Sequence, residues 1–99
     1  MAAPSSCVSV YKRADEARTD RIRNLGQSID KFVSDLRPFV SDSGLDYERF
    51  RVQMPEMKLD LSKMKSAVLL LAPREQSLED RLLFVVDKFR AMRALCEYE

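Results

Sequence analysis

The chain has no histidine and no tryptophan. Without histidine it lacks the commonest general base, the commonest metal ligand and the side chain that titrates nearest neutrality. A serine or cysteine triad of the usual kind is therefore excluded. With only two glycines, Gly26 and Gly44, it cannot form a glycine-rich phosphate loop. The two cysteines, Cys7 and Cys96, stand near opposite ends and form no CxxC pair. Such spacing reads as free thiols in a reducing compartment. An excess of one charge is also missing: 17 basic residues face 16 acidic ones. A dedicated nucleic-acid binder usually carries a marked basic surplus. The longest apolar runs, residues 67–72 and 82–86, fall far short of the roughly 20 residues of a membrane span. The first twenty residues show no apolar core of a secretory signal, and Asp15, Glu16 and Asp20 argue against a mitochondrial presequence. The expected compartment is the cytoplasm, with the nucleus as the alternative.

What is present is helical. Hydrophobic residues make up 45% of the chain and charged residues 33%, a balance that suits helices with one packed and one solvated face. Two glycines and four prolines are too few for the turns of an all-β chain of 99 residues. In the first third, Ile22, Leu25, Ile29, Phe32, Leu36 and Phe39 repeat at alternating steps of three and four, a heptad seam. Upstream, residues 12–21 (KRADEARTDR) are polar and extend the helix past the core. Gly26 marks either a tolerated flaw or a place where another helix comes close. Pro38 disfavours helical geometry at Arg37, and Ser41, Asp42, Ser43 and Gly44 are turn residues.

A second seam follows at Phe50, Met54, Met57, Leu61, Met64, Val68 and Leu71. Its register survives Pro55, which either opens the main helix or lies within a continuous, kinked one; the unbroken register favours continuity. Pro73 ends this segment. Ser77 is placed as the N-cap of a third helix, with Asp80 completing a shortened capping box. The third seam is Leu78, Leu82, Val85, Phe89, Met92 and Cys96. Expected surface ion pairs are Lys31 with Asp35, Glu48 with Arg51 and Asp60 with Lys63.

Three seams of roughly 27–33 Å at about 1.5 Å per residue, joined by short connections, predict an all-α fold. Its form is an antiparallel up-down-up three-helix bundle with coiled-coil-like packing, the first helix carrying a polar N-terminal extension. The expected organisation is a flexible tail at 1–7 and a single domain at 8–99, with helices at about 8–37, 46–72 and 77–98. Helix length and heptad spacing resemble those of spectrin-like and tethering-complex bundles, and no motif assigns the chain to either family.

No catalytic, cofactor-binding or metal-ligating constellation can be assembled from these residues. The signal for function is surplus apolar side chain. Leu82, Leu83, Phe84, Val85 and Val86 are consecutive, and a helix facing one neighbour needs only a stripe. Seam residues account for Leu82 and Val85. Leu69, Leu83, Phe84, Val86 and Leu95 are left over, and exposed apolar patches mark partner sites. The expected function is a non-enzymatic protein–protein interaction module, an adaptor or a subunit of a larger helical assembly. It would engage a protein partner, or a second copy, through the second and third helices. The alternative is a nucleic-acid-associated helical protein using a basic patch of Arg13, Arg18, Arg21 and Arg23 on the first helix. A small-molecule substrate is not expected.

Overall fold

A computed structural model describes the backbone of residues 3–97 and the side chains of residues 13–97. The fold is an all-α three-helix bundle. Helix α1 spans Ala3–Leu36, a 3-10 turn follows at Arg37–Phe39, and two short strands, β1 (Val40–Ser41) and β2 (Gly44–Leu45), precede α2 (Tyr47–Leu69) and α3 (Gln76–Glu97). Each helix packs against the other two. Arg18 near the start of the packed part of α1 reaches Glu75 at the entrance to α3, and Phe32 further along α1 meets Phe89 further along α3. Helices α1 and α3 therefore run the same way and α2 runs against them.

All three seams point inward. Ile29, Phe32, Leu36 and Phe39, then Phe50, Met57, Leu61, Met64, Val68 and Leu71, then Leu78, Leu82, Val85, Phe89 and Met92 form one buried cluster. Ile22, Leu25, Met54 and Cys96 pack against it half-buried. At the end of the bundle nearest the α1–α2 connection, four phenylalanines tie the helices together. The ring centroids of Phe39 and Phe50 lie 5.7 Å apart, those of Phe50 and Phe89 5.7 Å, and those of Phe32 and Phe89 5.8 Å, each pair edge to face. This is the geometry aromatic quadrupoles prefer. No polar or charged side chain is buried among the described residues.

Helix boundaries differ from expectation for identifiable reasons. Helix α1 begins at Ala3, so residues 3–7 of the expected tail belong to it; residues 1 and 2 and the side chain of Cys7 lie outside what is described. Helix α2 passes through Pro55 without a break, which decides between the two readings of that proline. Its start is fixed by Asp46, whose Oδ1 accepts from the Arg49 backbone N–H at 3.3 Å. It stops at Leu69 rather than 72. The Pro73 ring would clash with the carbonyl four residues back, and it also pushes Ala72 out of helical geometry. Leu71 is still buried, its N–H bonded to the Val68 carbonyl at 3.3 Å.

The third helix starts one residue earlier than expected. The Glu75 carbonyl accepts the first turn's bond from the Glu79 N–H at 3.2 Å. Ser77 is thus inside the helix and not its N-cap: its hydroxyl donates to the Glu75 carboxylate at 3.0 Å. Asp80 accepts instead from the Gln76 side-chain amide at 2.9 Å. The strands at 40–45 were not expected. Val40 pairs with Leu45 and Ser41 with Gly44 around the expected turn, and Gly44 has φ +119°, a conformation L side chains rarely adopt.

Gly26 is a place of close approach. Arg81 of α3 lies across it, donating from Nη2 to the Gly26 carbonyl at 3.2 Å and to the Asp30 carboxylate. A Cβ at this position would stand 3.2 Å from Arg81 Nη1 and 3.9 Å from Leu78 Cδ2. The molecule is a rod, 70 × 20 × 18 Å, with a radius of gyration of 18.5 Å. A compact domain of this length would have a value of about 13 Å. Residues 13–17 of α1, before the Arg18–Glu75 contact, are exposed, as the polar extension requires.

Candidate interaction surface

Five apolar residues were expected on the surface of α2 and α3. Four are there: Leu69 is 48% exposed, Leu83 59%, Phe84 68% and Leu95 50%. Val86 is 9% exposed and belongs to the core. The reason lies in the helical period. Val86 stands about 100° beyond the seam residue Val85, on the flank that α2 covers. Its neighbours in the run, Leu83 and Phe84, project further round and escape cover.

These residues do not make one patch. Leu83 and Phe84 point about 100° apart, whereas Phe84 and Leu95, eleven residues apart, return to nearly the same face. Leu69 and Leu83 line the groove between α2 and α3, with Val86, Val68 and Leu82 beneath them. Phe84 and Leu95 lie outside that groove. Three more large apolar side chains are exposed along α2 and at its C-cap without having been expected there as a group: Val52, Leu59 and the capping residue Leu70. Near-heptad spacing places them together on its outer face, opposite the seam.

The basic residues of α1 do not form the expected patch. Arg18 pairs with Glu75 at 3.5 Å and Arg23 with Asp20 at 3.1 Å. At about 100° per residue, Arg13, Arg18, Arg21 and Arg23 are spread round most of the helix and share no face. The cations that do converge come from two different helices. Lys58 and Lys65 of α2 and Arg90 and Arg93 of α3 line one recess of about 140 Å³. A neighbouring recess of about 150 Å³, holding Leu69 and Leu83, shares Lys65, Val86 and Arg90 with it. The two are one continuous trough, apolar toward the α2–α3 loop and basic toward the middle of the bundle.

Among the described residues, none of these four cations takes part in an ion pair. One sequence signal for them exists: Arg51, Lys58 and Lys65 recur every seventh residue, which keeps them on one flank of α2. Arg51 uses this position to donate to the Cys96 carbonyl at 2.9 Å, placing a cation at the C-terminal end of α3. It makes no ion pair with Glu48. Lys31–Asp35 and Asp60–Lys63 are likewise not among the ion pairs of the described residues; these four side chains line the groove between α1 and α2 together.

Among the described residues no group of three or more His, Cys, Asp or Glu side chains could hold a metal ion. No described helix is long and apolar enough to cross a membrane. Comparison with protein-family models, with curated proteins and with solved structures finds no match.

Proposed function

We propose that the chain is a non-enzymatic protein–protein interaction module, an adaptor or a subunit of a larger helical assembly, working in the cytoplasm or the nucleus. The observation that carries this reading is the position of Leu69, Leu83, Phe84 and Leu95. The core is already filled by the seams, and these side chains keep about half or more of their surface in water. Covering the part of each that is still exposed would contribute about 1 kcal/mol or a little more. Nucleic-acid association through α1 has less support, because two of its four arginines are engaged with carboxylates and the four share no face.

The test is affinity capture from the native source with three baits: wild type, Leu69→Asp/Leu83→Asp and Arg18→Glu/Arg21→Glu. A protein recovered by wild type and by the arginine variant, and lost from a leucine variant whose circular dichroism is still helical, is the expected result. Binding of duplex or single-stranded nucleic acid that falls steeply with salt and disappears in the arginine variant would establish the other reading.

A further inference from the structure

Resting on the interaction reading above, the geometry points to the occupant of the α2–α3 trough: an amphipathic helix of a protein partner that carries both apolar and acidic residues. The three grooves of the bundle differ in a way that selects this one. Between α1 and α3, Arg81 bridges the helices through Gly26 and Asp30. Between α1 and α2, two cations and two carboxylates, Lys31, Lys63, Asp35 and Asp60, share the groove lining. Between α2 and α3, Lys58, Lys65, Arg90 and Arg93 line the middle of the trough with no carboxylate among its lining residues there. Glu79, at the apolar end, is held by Arg74. Four unmatched cations over an apolar floor are complementary to carboxylates borne on an apolar face.

The shape fixes the form of the ligand. From Lys58 to Leu69 on α2, and from Leu83 to Arg93 on α3, the trough runs about 15 Å at 1.5 Å per residue. That is about three turns of a helix lying in a groove, read by anchors at i, i+3/i+4 and i+7. The anchors belong at the Leu69–Leu83 end and the carboxylates two turns further along. A second copy of the chain suits this site less well, since a two-fold contact between troughs would bring only the same leucines and cations, and no carboxylate, to meet the four cations. Nucleic acid would meet the cations but leave Leu69 and Leu83 against phosphate and sugar.

The experiment is selection of displayed 18-residue helical peptides, with Asp, Glu, Lys and Arg equally frequent in the library, on the full chain. The selected peptides are then titrated into isotopically labelled protein. The expected result is enrichment of Asp and Glu beside an apolar stripe, with amide shifts confined to residues 58–69 and 83–93. Binding should weaken about tenfold or more in Lys58→Glu/Arg93→Glu and with rising salt. Leu83→Ser should also weaken it while leaving the helical spectrum intact. Enrichment without an acidic excess, shifts at other residues, or tighter binding of a 20-nucleotide single strand at the same residues overturns the assignment. A dimer of the chain formed through these residues also overturns it. A native partner that is captured by the chain but cross-links outside the trough overturns this assignment alone and leaves the interaction reading standing.

Discussion

Two glycines in one chain have opposite physical roles. Gly26 is in the middle of a helix, where glycine is about 1 kcal/mol less favourable than alanine. The atom nearest a new Cβ there is the end of the Arg81 side chain, a flexible group that is itself partly exposed. Gly26→Ala is expected to stabilise the bundle by up to about 1 kcal/mol. Gly44, at φ +119°, has nothing near a new Cβ, yet the backbone conformation itself disfavours one. Gly44→Ala is expected to cost about 1–2 kcal/mol. Urea unfolding of the two variants beside wild type checks both signs at once; a destabilised Gly26→Ala protein would mean that the Arg81 bridge is rigid.

The phenylalanines separate in the same way. Phe50 and Phe89 are the middle of the aromatic chain and are almost wholly buried. Replacing either by alanine is expected to cost about 3–5 kcal/mol. Phe84 is mostly in water, and Phe84→Ser should change stability by no more than about 0.5 kcal/mol. Thermal unfolding that ranked Phe84 with the other two would show that it is covered in the isolated chain.

Helix α3 illustrates what a single helix discloses. Its seam was legible because burial at Leu78, Leu82, Val85, Phe89 and Met92 follows from a local period. The fate of the residues between them depends on which flank α2 occupies, and no local pattern carries that information. Val86 therefore proved to be core, while Leu83, three residues earlier, lines an open trough. The two leave a measurable contrast. Val86→Ala should lose roughly 1–2 kcal/mol, and Leu83→Ala should lose less than about 0.5 kcal/mol. Equal losses in denaturant unfolding would place Leu83 inside the core as well.

Helix α2 shows the same limit. Its course through Pro55 and its cap at Asp46 are local matters of register and side-chain chemistry. The convergence of Lys58 and Lys65 with Arg90 and Arg93 is not local, since it needs two antiparallel helices in a particular rotation. The four arginines of α1 lie close in sequence, yet no one face of the helix holds them all.

At the scale of the molecule, the three seams, the fold class and the polar extension of α1 were all legible, because a heptad period states which face is dry. The short strand pair at 40–45 was not, because two residues on each side carry no period. The rod shape matters for function. A bundle 20 × 18 Å in cross-section keeps every helix at the surface, so each helix shows one flank to water. Where α2 and α3 meet, the recess between them is lined by Lys58, Lys65, Arg90 and Arg93 with no carboxylate among them. The core is complete without them.

The most direct measurement is site-specific photo-crosslinking in the native cell. A benzoylphenylalanine is placed in turn at position 83 in the trough, and at positions 48 and 53, exposed residues of α2, as controls. A discrete covalent adduct between the chain and a second polypeptide from position 83, absent from 48 and 53, is the expected result. No adduct from position 83, or equal labelling from all three positions, would contradict the conclusion that this apolar and basic trough is where the molecule meets its partner.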